Sequence, residues 1–322
     1  MAKYIFKRII LMIPVILCVA ILVFTMMFFA KGDPATLIAG NTATQERVAE
    51  VREQLGLNDP YLIRLGRFLG QLVQGDLGTS YVLGTNVFHD LSIKLPHTLR
   101  IAFFSIICSS LIGIPIGIRS AVKANTLEDR FSMFMTMLGV SMPNFWLGIL
   151  LVMLFSLKLG ILPSNGIGGW KYYVLPVVST AISGLAGTAR LARSSMLEVI
   201  RADYITTARA KGVSEHGVIY KHALGNALIP IVTAIGGNFA GAMGGTVVIE
   251  TVYSIPGIGT YLINGISNRD YTVVQGSILM IAVIFSLVML AVDVAYAFID
   301  PRIKAQYESQ NKKRTKKEDK AA

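Results

Sequence analysis

The sequence predicts an all-α, polytopic membrane protein with six transmembrane helices. Three observations carry that prediction. First, 53% of the 322 residues are hydrophobic and only 15% are charged, with a mean hydropathy of +0.58. One water-soluble core cannot enclose that share of apolar surface, whereas a lipid-facing chain can expose it. Second, six apolar runs approach the roughly 20 residues that cross a bilayer as a helix. Third, lysine and arginine segregate. With the N-terminus inside, 20 of the 30 fall in the N-terminus, the second and fourth connections and the tail. Such an excess marks the cytoplasmic side, so both termini are expected to be cytoplasmic in a prokaryotic cell membrane. The formal net charge of +11 then belongs to loops beside lipid, and nucleic acid is not an expected partner.

The first run, Ile9–Phe29, follows Lys3, Lys7 and Arg8. A signal peptide has a shorter apolar region, about 7–15 residues, ending at a small-residue cleavage site. This run leads instead into FFAKGDP and predicts a retained anchor. The segment from Ala30 to Pro96 is placed outside and carries helical patterning. A capping box runs from Thr42 to Gln45, and Val48, Val51 and Leu55 then share a face. Further on, Asp59 is the expected N-cap, Pro60 the first helical residue, and Leu62, Leu65, Leu69 and Leu72 a stripe.

The later spans are Thr98–Ile118, Phe131–Leu157, Tyr173–Ala189, Ile229–Val252 and Val273–Phe298. In the third, Pro143 removes a backbone donor and predicts a kink, and Asn144 is a polar side chain at hydrocarbon depth. In the fifth, IGGNFAGAMGG is dense in small residues that permit close helix contact, with Asn238 among them. Glu250 falls near the outer end of that span. Pro143, Asn144, Asn238 and Glu250 are therefore candidates for a translocation path. The competing reading is helix packing for the first three and an interfacial carboxylate for Glu250. Asp293, in the sixth span, is expected to pair with a basic loop residue rather than to relay protons.

The stretch DYITTARAKGVSEHGVIYKHALGNALIP, Asp203 to Pro230, is polar and basic within an otherwise apolar chain. Asp203 is an expected N-cap for a helix through Ala210. Gly212 can end it, since only glycine adopts left-handed angles without steric cost. Ser214 can cap a second short helix through about His222. Most connections need only about 4–6 residues, so a helix–glycine–helix insert suits a docking surface for a soluble partner better than a plain loop.

This stretch resembles the signature loop of the inner-membrane subunits of binding-protein-dependent ABC importers, closest to the oligopeptide/dipeptide/nickel branch. Other segments agree: GDP at Gly32–Pro34, LGLNDP at Leu55–Pro60, GDLGTS at Gly75–Ser80, LPHTLRIA at Leu95–Ala102, SMPNFWLGILL at Ser141–Leu151, LPSNG at Leu162–Gly166, IPGIG at Ile255–Gly259 and DPR at Asp300–Arg302. The family's loop begins Glu-Ala-Ala, with a glycine four residues after the second alanine and a Leu-Pro pair later. Here Thr206, Thr207 and Ala208 fill the first three places and Gly212 is the glycine; Leu224 is followed by Gly225 instead of proline. The resemblance implies a type I ABC importer transmembrane fold over residues 94–300. It is preceded by an N-terminal helix and extracytoplasmic segment, 1–93, and followed by a basic cytoplasmic tail, 301–322. It also implies that Asp203, Tyr204, Thr206, Thr207, Ala208, Arg209, Ala210, Lys211, Gly212 and Ser214 sit in a groove of an ATPase subunit. The implied partners are two ATP-binding cassette subunits, a second related permease subunit and an extracytoplasmic substrate-binding protein. Peptide is the first cargo it suggests, with nickel, another metal chelate or glutathione as alternatives.

The chain carries no Gly-Lys pair, so it has no phosphate-binding P-loop, and ATP is expected to be used by partner subunits. No cofactor or metal is expected on this chain: Cys18, Cys108 and the four histidines form no ligand spacing. An ion-coupled secondary transporter is the rival class. The scarcity of intramembrane charge counts against it.

Overall fold

The computed structural model describes residues 2–30, 32–40 and 43–299. The helices are α1 (Ala2–Phe29), α2 (Pro34–Ala39), α3 (Gln45–Gln54), α4 (Tyr61–Val73), α5 (Val87–Val122), α6 (Leu127–Ser141), α7 (Asn144–Leu151), α8 (Lys171–Ile200), α9 (Asp203–Ala210), α10 (Glu215–Gly217), α11 (Leu224–Val252), α12 (Ile258–Ser267) and α13 (Tyr271–Ile299). Among the described residues, five helices are long and apolar enough to cross a bilayer, and α6 with α7, bent by 96° at their break, makes a sixth when the pair is taken as one broken span. The all-α, six-span expectation holds.

Several boundaries differ from the sequence reading. The third span is not one kinked helix. Met142 ends α6 in an extended conformation (φ −89°, ψ 128°), and Pro143 precedes α7. Proline disfavours helical angles in the residue before it, and Met142 takes the extended alternative, so the span breaks here instead of bending. After α7 the chain widens into a π turn, Val152–Lys158. The fourth span runs to Ile200, well past Ala189, because its polar last turns are packed inside protein. Arg193 makes two 2.7 Å bonds to Asp129 of α6, and Ala189 and Ala192 lie against Gly117 of α5. The second span begins at Val87, where the Asn86 side chain accepts from the His89 N–H at 3.0 Å. This helix runs unbroken through residues 93 and 94, and Pro96 lies inside it.

In the segment between α1 and α5, Thr44 rather than Thr42 caps α3; Asn41, Thr42 and everything from Asp300 onward lie outside the described residues. Asp59 is not the cap of α4. Pro60 is the N-cap, and Asp59 pairs instead with Arg67 at 2.5 Å. The GDLGTS turn is tied to the start of α13, since the Ser80 hydroxyl donates to Asp270 at 2.6 Å. Asp293 pairs with Arg8 of α1 at 3.0 Å, not with a loop residue.

Three buried clusters hold the bundle. One joins α5, α11, α12 and α13 through residues such as Leu91, Met243 and Tyr261. A second joins α5, α7, α8 and α11 around Ile101, Leu175 and Tyr253. The third sits at the opposite end, where α9 meets α5, α8 and the start of α11.

Candidate functional site

Helix α9 is short and mostly polar, so it cannot hold its place by propensity alone. Ile205 anchors it. That side chain is fully buried among Ile118, Met196, Val218 and Ala223, a burial that contributes roughly 1.5–3 kcal/mol. Asn226 of α11 adds a 3.0 Å hydrogen bond to the Tyr204 hydroxyl. With Ile205 turned inward, Asp203, Tyr204, Thr206, Thr207, Arg209, Ala210, Lys211, Gly212 and Ser214 are exposed and Ala208 is half-buried. The predicted residues therefore form one continuous surface on a fixed backbone.

Asp203 does not cap α9. Ala202 occupies that position without a side-chain bond, and Asp203 opens the helix, where a carboxylate still favours the helix dipole. Gly212 has φ +79°. Its N–H reaches the Arg209 carbonyl at 2.9 Å and the Val213 N–H reaches that of Ala208 at 3.3 Å, the paired bonds of a Schellman stop. A Cβ at Gly212 would meet nothing within 4 Å, so glycine is required there by backbone angle and not by space. Arg209 then bridges the turn with bonds of 3.1 and 2.7 Å to Glu215. Ser214 caps α10 by accepting from the Gly217 N–H at 3.4 Å. The second short helix is not a separate element. From Glu215 the chain passes through a π turn, Val218–Ala223, directly into α11. The turn at Gly212 is thus continuous with a membrane span.

The four path candidates do not gather at one place. Asn144 and Asn238 line one cavity of about 240 Å³ between α5, α7, α8 and α11, with the hydroxyls of Ser105, Ser109, Thr180 and Ser183. The Ser183 hydroxyl bonds to the Asn144 side chain. Pro143 lies next to this cavity in sequence and supplies the break that starts α7.

Glu250 lies elsewhere and is fully buried. Its carboxylate accepts from the Thr98 hydroxyl at 2.6 Å and the Thr260 N–H at 3.0 Å, and Thr98 accepts in turn from the Ile258 N–H at 2.9 Å. A side chain at Gly257 or Gly259 would collide with that carboxylate. The IPGIG motif is therefore the wrapping of a buried acid that joins α5, α11 and α12. Tyr261 of α12 donates to Asp90 at 3.0 Å; burial and that carboxylate push its phenol above the ordinary range, so it remains a neutral donor.

Sequence reasoning missed Ile205, Thr98, the cavity's hydroxyls and α12. Ile205 carried a signal, as the one large apolar side chain between Asp203 and Gly212. The hydroxyls fell within apolar runs as SIICSS and VVSTAIS, and their convergence depends on the packing of α5 on α8.

Comparison with known proteins matches residues 113–305 to a family described as binding-protein-dependent transport system inner membrane component. Residues 1–102 match that system's membrane component N-terminal family. The chain is 42% identical over 304 residues to the glutathione transport system permease protein GsiC of Salmonella paratyphi A, covering 94% of this chain and 99% of that protein. It is 40% identical over 332 residues to the dipeptide transport system permease protein DppB of Alkalihalophilus pseudofirmus, covering 94% and 100%. Among solved structures, an inward-facing MetNI methionine ABC transporter chain superposes with a TM-score of 0.56 at 20% identity, covering 65% of this chain and 96% of that one, a likeness of fold.

Proposed function

Because the chain belongs to the binding-protein-dependent transport system inner membrane component family, a family of multi-pass membrane permeases, we propose that it forms part of the import path for di- or oligopeptides. In this reading the surface from Asp203 to Ser214 sits in a groove of an ATPase subunit. The observation that carries it is the exposed α9–Gly212 turn, anchored by Ile205 and continuous with α11. A push on α9 is transmitted directly to a spanning helix and, through the buried cluster, to α5 and α8. ATP hydrolysis belongs to the partners, two cassette subunits beneath this chain and a second related permease. A binding protein delivers cargo at the far end. The termini and the α9 turn are placed in the cytoplasm, and α2–α4 outside.

The intramembrane acids support this reading over an ion-coupled carrier. Asp129 is held by Arg193, Asp293 by Arg8 and Glu250 by Thr98 and Thr260, so each already has a structural partner. A second cargo, glutathione, is favoured by the name of the relatives at 40–42% identity, and it is itself a tripeptide. Uptake of labelled dipeptide, glutathione and nickel by cells with and without this chain tests both. Peptide uptake should fall on deletion. Loss of nickel uptake alone would overturn the assignment, and loss of glutathione uptake alone would select the second cargo. The purified chain should not turn over ATP until cassette subunits are added.

A further inference from the structure

A groove on the flank of the bundle presents a cation without an anion. It lies between α5 and α8, towards the end opposite α9, and encloses about 780 Å³. His97, Arg100, Trp170 and Tyr173 line one end; further along the two helices the lining becomes Phe104, Cys108, Val177 and Val178. No aspartate or glutamate lines it. The Arg100 guanidinium donates to the Tyr173 hydroxyl at 3.4 Å and lies 5.7 Å from that ring. Among the described residues it forms no salt bridge, unlike Arg193, Arg209 or Arg119.

The position of Arg100 relative to the bilayer follows from α5. Residues 101–118 contain no charged side chain, and Arg100 and Arg119 bracket that run. At 1.5 Å per residue the bracket is roughly 28 Å long, close to the ~30 Å hydrocarbon thickness of a bilayer. Arg100 therefore stands at a hydrocarbon–water boundary, with Trp170 and Tyr173 as aromatic neighbours typical of that level.

We propose that this groove binds one anionic phospholipid from the leaflet opposite the α9 turn. The phosphate sits on the Arg100 guanidinium and one acyl chain lies along Phe104, Cys108, Val177 and Val178. A guanidinium fork matches a phosphate in geometry and charge. The apolar half of the groove offers nothing stronger than the Cys108 thiol to a peptide backbone, whose polar groups would go unpaired there. The inference rests on the membrane placement of α5 and is independent of the cargo assigned above.

The test uses the assembled complex extracted from its membrane and native mass spectrometry in mixed phosphatidylglycerol and phosphatidylcholine. The wild type should retain one more phosphatidylglycerol than Arg100→Gln, and its affinity on back-titration should exceed the variant's roughly tenfold, as expected for losing one charge-assisted phosphate contact. Val178→Trp should fill the groove and expel the lipid while leaving the charge in place. A photoreactive residue at Val174 should label phospholipid. Equal phosphatidylglycerol retention by the wild type and both variants would overturn the proposal, as would equal retention of phosphatidylcholine. A Val174 crosslink to a polypeptide or to labelled peptide would also overturn it, by giving the groove to a partner subunit or to cargo.

Discussion

Gly212 and Glu250 are small features that decide different things. At Gly212 a side chain meets open space, so Gly212→Val adds only the cost of a left-handed backbone for a β-branched residue, about 1–2 kcal/mol. The chain can relieve that cost by rotating α10 and re-aiming the turn. The variant should insert and accumulate normally, yet lose uptake and ATPase copurification. Arg209→Ala removes a pair exposed on both sides and screened by water, and should do less. If Arg209→Ala loses the ATPase while Gly212→Val transports normally, the contact is electrostatic and the hinge reading fails. Glu250 and Asn238 make a second contrast. Glu250→Leu strands the Thr98 hydroxyl and the Thr260 N–H, each costing about 1–3 kcal/mol. It should lower the melting temperature in detergent, and Glu250→Gln should lower it less. Asn238 is exposed and lines the cavity, so Asn238→Leu should change uptake without moving the melting temperature. The reverse pattern would put Glu250 on the path and Asn238 in the packing.

At the scale of elements, the α6–α8 joint near the α9 end is fastened by an ion pair. Asp129 is 3% exposed and held by Nε and Nη2 of Arg193, with a further bond from the Asn125 N–H at 2.9 Å. Arg193→Met leaves a buried carboxylate without its cation, a loss of about 3–5 kcal/mol. The double variant Arg193→Met with Asp129→Asn should recover much of it. A double-mutant cycle by thermal melting checks this, and additive losses would show that the two side chains do not act as a pair. The broken span follows the same logic of satisfied groups. Replacing Pro143 by alanine permits Met142 to turn helical, so α6 and α7 should tend towards one straighter helix. That would move Asn144 away from Ser183, and uptake should fall at unchanged expression.

For the molecule as a whole, the orientation rests on 20 of the 30 lysines and arginines falling on one side. Single cysteines at Thr79 and His216, in a chain with Cys18 and Cys108 replaced by alanine, should react oppositely with an impermeant thiol reagent. Both positions are exposed and lie at opposite ends of the fold, Thr79 before α5 and His216 in α10. Thr79 should label from outside and His216 only after permeabilisation. Labelling in the opposite sense would invert the topology and place α9 beyond the reach of any cytoplasmic ATPase.

The one-dimensional features were legible in the sequence. Hydropathy marked the six crossings, because burial in lipid depends on composition over about 20 residues. Gly212 and Ser214 were legible as a stop and a cap because those roles depend on near neighbours in the chain. What tertiary structure decided was whatever depends on residues far apart in sequence. The fourth span reaches Ile200 because Asp129, 64 residues before Arg193, supplies a counter-charge. Asn144 and Asn238 share a cavity and Glu250 does not, because α5, α7, α8 and α11 converge on one and α12 closes over the other. Ile205 anchors α9 only because α5, α8 and α11 arrive around it. Local propensity sets where a helix can form. Long-range packing sets which of its side chains are left free to act.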